Sequence, residues 1–185
     1  VFGRAGNGYN ACMGSSFVVT PFCLIIDSRE NAPFGFSELV ADAKEHADAI
    51  VVRTRRGNLK TGDYSIEGLE SVVTVERKSH EDAYATFGGG RQRFVRELER
   101  MAEMEYAAVV FECDWNTLLC APEYSNLQPK SVYRSIIAWS QRYGVHFFPM
   151  PGRRSAENIT FRILQRFHAD KEVAATCQKE STGTI

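Results

Sequence analysis

This sequence predicts an α/β fold, with a central mixed, largely parallel sheet flanked by helices. Three observations point there. Short apolar, β-branched runs alternate with stretches of helical periodicity, and Gly and Pro fall at the cap and turn positions between them. The 185 residues also suffice for one sizeable core. Composition is ordinary for a globular domain, 44% hydrophobic and 24% charged.

In chain order, residues 1–20 are rich in Gly, Asn and Ser and are expected to form a poorly ordered arm, with Met13 the natural first residue. Phe22–Ile26 is apolar and rich in β-formers, a strand ending at Asp27. Phe36, Leu39, Val40 and Ala43 recur at helical spacing and predict a first helix to about His46. Ala49–Arg53 reads as a second strand and Ser71–Lys78 as a third. Past Gly88-Gly89-Gly90 a helix puts Phe94, Val95, Leu98 and Met101 on one face, and Tyr106–Phe111 forms a fourth strand. Pro129 suits a helix first turn and Gly144 a C-terminal cap, with Ile136, Ile137 and Trp139 between them. Val145–Pro149 is a fifth strand, and Ser155 to about Lys171 a last helix. One folded domain over 21–172 is therefore expected, with a frayed tail over 173–185.

Several classes are excluded. No apolar run approaches a membrane span and no signal-peptide pattern opens the chain, so an intracellular, soluble protein is expected. Five scattered cysteines without a C-x-x-C pair argue against disulfides and structural zinc. The formal net charge of -1 does not announce a nucleic-acid binder, but the cations cluster. Arg53, Arg55, Arg56 and Lys60 form one group, Arg77 and Lys78 another, Arg91, Arg93 and Arg96 a third, Arg153 and Arg154 a fourth. The acids from Glu97 to Glu105 read as solvated helix faces.

The chemistry concentrates in Val75-Glu76-Arg77-Lys78. Side chains alternate along a strand, so Glu76 and Lys78 emerge together while Arg77 points away. Charged residues ending an apolar strand need a partner, and a divalent cation is one. Glu76 would ligate it, with Lys78 polarising a water. Mg²⁺ takes hard oxygen ligands, one or two of them protein carboxylates. Asp63, after Gly62 at a tight turn and thirteen positions before Glu76, supplies the second from an adjacent antiparallel strand. Alone, an E-x-K triplet says little. Here it is preceded by Asp27-Ser28-Arg29-Glu30 and Gly62-Asp63-Tyr64, and continues as Glu76-Arg77-Lys78-Ser79-His80-Glu81-Asp82.

In that order these motifs resemble the nuclease domain of the xeroderma pigmentosum group F (XPF) family of structure-specific endonucleases, over roughly Leu24 to Asp170. The resemblance implies a restriction-endonuclease-like fold of the PD-(D/E)xK kind. It further implies a Mg²⁺-dependent DNA endonuclease of repair or recombination, Mn²⁺ substituting, which cuts duplex near a junction, fork or flap to leave a 3′-hydroxyl and a 5′-phosphate. Asp63 and Glu76 would be the principal metal ligands, helped by the Arg77 carbonyl, with Asp27 at the inner or outer shell. Lys78 would orient the attacking water. Arg29 would contact the scissile phosphate, Arg77 brace the sheet, and Asp82 pair with a cation. Partners implied are branched DNA and a homodimer or partner subunit. The family's usual tandem helix-hairpin-helix domain is not expected after Asp170. A stand-alone domain of this kind would suit a bacterial or viral protein, and hence the cytoplasm.

Alternatives stand beside these readings. Asp27 and Arg29 also fit an ion pair capping a strand end. Arg53, Arg55, Arg56 and Lys60 read as DNA-backbone contacts, whereas Arg91 and Arg93 fit DNA contacts and a solvated face equally. Gly88–Gly90 lacks the Lys-Ser/Thr of a phosphate loop and reads as a hinge. His46, His80, His146 and His168 have no partners at ligand spacing. A non-catalytic DNA-binding scaffold, or a partner subunit of a nuclease, is the competing function.

Overall fold

The computed structural model describes residues 17–41 and 48–182, the last four of these by backbone only. A six-stranded mixed sheet runs through it in the order β2-β1-β3-β4-β5-β6. Its strands are β1 (Phe17–Asp27), β2 (Ala49–Gly57), β3 (Tyr64–Ile66), β4 (Val73–Lys78), β5 (Tyr106–Phe111) and β6 (His146–Pro149). The helices are α1 (His80–Phe87), α2 (Arg91–Met101), α3 (Trp115–Leu118), α4 (Pro129–Tyr143) and α5 (Arg153–Thr182). β2 is parallel to β1, and β4, β5 and β6 are mutually parallel. β3 is antiparallel to both neighbours, joining β1 through Leu24–Ile66 and β4 through Tyr64–Val75. One short reversed strand thus makes an otherwise parallel sheet mixed.

The two-residue period of the strands divides the core. On one face Leu24, Ile26, Val73, Val75, Ala108 and Val110 pack with Phe161 and Leu164 of α5. On the other, Ala107, Val109 and Phe111 meet α1, α2 and α4 through Phe87, Phe94, Leu98, Ile136 and Trp139. β5 is buried on both sides, which is why Ala-Ala-Val-Val-Phe carries no polar residue. Punctuation follows the sequence at α4: Pro129 lies in its first turn, and Gly144, at φ 66°, caps it by donating to the Ser140 carbonyl.

Four expectations change. Residues 36–41 form no helix; 42–47 lie outside the described residues. Phe34 stacks on Tyr64 at 5.2 Å, and its N–H donates to the Tyr64 hydroxyl oxygen at 2.8 Å. Phe36 sits at φ 52° with its N–H bonded to the Glu157 carboxylate. The helical spacing of Phe36 and Leu39 arises because a loop drops successive side chains into the core. Secondly, α1 and α3 form where no element was expected, whereas the antiparallel strand expected beside Glu76 is β3. Thirdly, β1 begins at Phe17, inside the expected arm, of which residues 1–16 lie outside the described part. Finally, α5 runs on to Thr182 instead of ending near Lys171. Glu172–Glu180 is made largely of good helix formers, with no Gly or Pro before Gly183. Of the tail expected to fray, 183–185 lie outside the described residues. Among the described residues no helix is long and apolar enough to cross a membrane.

Candidate active site

The ends of β1 and β4 and the start of β3 meet at one edge of the sheet. The Asp63 carbonyl accepts from the Asp27 N–H (2.8 Å), and the Asp63 N–H donates to the Val75 carbonyl (2.9 Å). Asp63 is thus stitched between β1 and β4. Gly62 makes this possible: at φ +75°, a Cβ there would lie 2.0 Å from Thr74 Oγ1. The Thr74 hydroxyl in turn donates to the Thr61 carbonyl at 3.0 Å, closing the turn.

An open cleft of about 380 Å³ lies at this edge, lined by Arg29, Glu30, Asn31, Ala32, Asp63, Glu76, Arg77, Lys78 and Asp82. All the sequence-predicted catalytic residues line it except Asp27. Asp27 is buried, and both its oxygens are engaged. Oδ1 accepts from the Arg29 N–H and Nε at 2.8 Å, and Oδ2 from Arg29 Nη2 at 3.0 Å and the Leu59 N–H at 2.7 Å. Burial raises its pKa, but these hydrogen bonds outweigh it and hold the carboxyl below its ordinary range. The Arg29 guanidinium is 70% exposed on the cleft rim and also donates to the Leu59 carbonyl.

Glu76 and Lys78 emerge on the α2 side of β4, and the Lys78 ammonium donates to the Glu76 carboxylate. That ammonium stands 4.9 Å from the Phe94 ring centroid of α2. Burial opposes its charge, but Glu76 outweighs burial and raises the Lys78 pKa. Burial, and then the Glu76 carboxylate, push the Asp63 carboxyl up to about 9, although the Arg77 N–H donates to its Oδ2 at 2.8 Å. Two carboxyl groups therefore face each other with too little positive charge to keep both ionised.

Arg77 points to the α5 side. Its Nε and Nη2 make a fork to Glu30 at 3.0 and 3.1 Å, and Nη1 reaches Glu112 at 3.1 Å. Burial opposes this guanidinium, and the two glutamates more than offset it, so its pKa rises. Arg153, the first residue of α5, closes the network. It pairs with Glu112, donates to the Ala32 and Pro33 carbonyls at 2.8 and 2.7 Å, and covers the Phe34 ring. Asp82 partners Ser79 instead of a cation: the Ser79 hydroxyl accepts from the Asp82 N–H at 3.1 Å, capping α1.

The structure does not gather the basic residues into one surface. Arg53 and Arg55 lie on the edge strand β2, where Arg55 pairs with Glu67 at 2.7 Å. Arg56 donates to the Asp27 and Glu30 carbonyls, Lys60 pairs with Glu103, and Arg91 stacks on Trp139 while donating to Ser135. Arg93 is exposed at the start of α2. One cleft residue escaped the sequence reading. Glu97 of α2 is half-buried; it hydrogen-bonds the Glu76 side chain, and burial, then Glu76, push it up to about 7. Its position three residues after Phe94, inside the apolar stripe, was the available signal.

Asp63 and Glu76 fit a hard divalent cation. Both are oxygen donors, and their mutual repulsion is the cost that such an ion removes. Among the described residues no group of three or more His, Cys, Asp or Glu side chains is placed to hold a metal. A cation here would therefore take this pair and complete its shell with water and phosphate oxygens.

Solved structures share the fold. The chain is similar to XPF from Aeropyrum pernix in complex with DNA, with TM-score 0.58 and 18% identity, covering 81% of this chain and 66% of that one. For XPF from Aeropyrum pernix in a second structure the TM-score is 0.57 at 17% identity, covering 85% and 70%. The chain thus spans about two thirds of the length of these relatives. No protein in the curated collection of sequences matches it. The restriction-endonuclease-like architecture expected from the motifs is the one observed. A family profile covers residues 26–163, from the end of β1 into α5, and with it the chain belongs to the ERCC4 domain family.

Proposed function

We propose that this chain is a divalent-metal-dependent DNA endonuclease that hydrolyses phosphodiester bonds in branched, flapped or forked duplex. The observation that carries the reading is the pairing of Asp63 with Glu76 at the sheet edge, Lys78 beside them and Asp63 pushed far above the carboxylate range. Family membership supports it, as does the relative whose structure is a DNA complex.

Asp63 and Glu76 would hold Mg²⁺, or Mn²⁺ in its place, which when bound supplies charge stabilisation at the phosphate and acidifies a neighbouring water. Lys78 donates a hydrogen bond that orients the attacking water. The water oxygen bonds to phosphorus as the bond from phosphorus to the 3′ oxygen breaks. A 3′-hydroxyl and a 5′-phosphate result. Arg29, exposed on the rim, would receive a non-bridging phosphate oxygen, and Asp27 acts by fixing Arg29. Arg77 holds the cleft wall through Glu30 and Glu112. Arg53 and Arg93, exposed and without a side-chain partner among the described residues, would follow the DNA backbone, with Arg55, Arg56, Lys60 and Arg91 joining by exchanging their present partners. Exposed Tyr133 and Ile137 on α4 suit a homodimer or partner-subunit contact.

The test is cleavage of labelled flap, fork, junction and linear DNA with Mg²⁺, Mn²⁺ or EDTA, comparing wild type with Asp63→Ala and Glu76→Ala. Metal-dependent cutting of branched forms, lost in both variants, is expected. Binding without cutting under either metal would point instead to the non-catalytic scaffold. Equal cutting of linear duplex would remove the branch preference.

A further inference from the structure

We propose that Glu97 is a positioning residue of the cleft, which shares Lys78 with Glu76 and keeps the ammonium in place when Glu76 turns to a divalent cation. The inference rests on the nuclease reading above and extends it to a residue outside the family motifs.

Glu97 reaches the site from a different element. Phe94, Leu98 and Met101 are the buried residues that fasten α2 to the sheet. Glu97 lies three residues beyond Phe94 and one before Leu98, so its side chain leaves the helix from that same face. Phe94 meets the Lys78 ammonium, and Glu97 meets Glu76 by a hydrogen bond. The Phe94 ring and the Glu76 carboxylate thus meet one ammonium, and Glu97 stands beside that carboxylate.

The chemistry requires such a third party. Lys78 now donates to Glu76, and side-chain exposures of 11% and 8% leave the pair little water. A cation that took up the Glu76 oxygens would compete for the same lone pairs. Lys78 would then lose its acceptor in a place where an unpartnered ammonium is costly. Glu97, which bonds Glu76 and whose charge already acts on Lys78, offers it another. Packing alone does not call for it: the buried face of α2 is apolar, and a third carboxyl adds repulsion beside Asp63 and Glu76. Exposed Glu99, two residues on, is the solvated glutamate that the helix pattern predicts.

The experiment compares the full chain with Glu97→Gln and Glu97→Ala, and uses Glu99→Gln as a control. Steady-state cleavage of a labelled flap with Mn²⁺ is followed together with Mn²⁺ binding by calorimetry and the ¹⁵Nζ resonance of Lys78 with and without Mg²⁺. Expected for both Glu97 variants is a fall in kcat of roughly 10- to 100-fold, with KM for DNA and Mn²⁺ affinity within about 2-fold of wild type. The Lys78 resonance should persist on Mg²⁺ addition in wild type and broaden into solvent exchange in the variants. An unchanged kcat, or a Lys78 resonance that behaves alike in all proteins, overturns the proposal. So does outright loss of Mn²⁺ binding in Glu97→Gln, which would make Glu97 a ligand. Should wild type cut no DNA under any metal, the nuclease reading falls on that arm, while the Lys78 resonance still decides the role of Glu97.

Discussion

Replacing Arg77 by Met should unfold much of the protein's stability margin, and the structure indicates how much. The guanidinium is 9% exposed, its partners Glu30 and Glu112 are 6% and 14% exposed, and each contact lies at 3.0 or 3.1 Å. Removing one member of such a buried pair costs about 3–5 kcal/mol, because the remaining charge keeps its desolvation penalty without its partner. Here two glutamates are left, although Arg153 still reaches Glu112, which places the expectation at about 4 kcal/mol. For a chain of this length each kcal/mol moves Tm by roughly 2–4 °C, so a fall of roughly 8–16 °C is expected. Arg77→Lys, which keeps the charge but not the fork, should lose less. The exposed pair Arg154–Glu38 is the control, and Arg154→Ala should stay within about 0.5 kcal/mol of wild type. Urea unfolding at neutral pH, read by the fluorescence of Trp115 and Trp139, measures all three. A loss under about 1 kcal/mol for Arg77→Met would refute the idea that this network holds the cleft wall.

Other expectations concern the cleft directly. In metal-free protein, stability should decline as pH rises from about 4 towards 9, since Asp63 and Glu97 bind their protons more tightly folded than unfolded. Thermal scans in EDTA across that range check the sign, and adding Mg²⁺ should flatten the slope; rising stability would contradict the assignment. Lys78→Met should lower cleavage by about 100-fold or more with DNA binding retained, measured by single-turnover cutting and anisotropy. Gly62→Ala should destabilise by about 1–3 kcal/mol, from the positive φ and the Thr74 contact, visible as a lower urea midpoint. Ser79→Ala removes the α1 cap and should cost about 1 kcal/mol in the same assay.

Much of this is legible in the sequence. Tyr106–Phe111 was bounded correctly because a fully buried strand writes itself as an unbroken apolar run. Glu76 and Lys78 were placed together by strand alternation alone. Asp63 could be set opposite Glu76 because one short turn separates β3 from β4. What failed was tertiary in origin. Phe36 and Leu39 imitate a helix because the loop bearing them is anchored by Tyr64 and Glu157, which are distant in sequence. Glu97 looked solvated because, although it falls inside the apolar stripe of α2, nothing local shows that this stripe meets the end of β4. The partners of Asp27 were equally hidden, because sequence cannot show that Arg29 and Leu59 engage both its oxygens. The α1 helix was recoverable: Ser79-x-x-Asp82 is a capping pattern.

The alternation within β4 also bears on how such a chain tolerates change over evolutionary time. Val73, Val75 and Arg77 serve one face, and Thr74, Glu76 and Lys78 the other. Deleting a single residue between Val73 and Glu76 would exchange the two sets, turning Arg77 into the cleft and Glu76 into the brace. No half-active intermediate lies along that route. Length changes between Glu67 and Val72, by contrast, leave the alternation untouched. Lineages carrying this domain should therefore differ freely in the length of that turn, and lose the site, when they lose it, by substitution more often than by insertion or deletion in the strand.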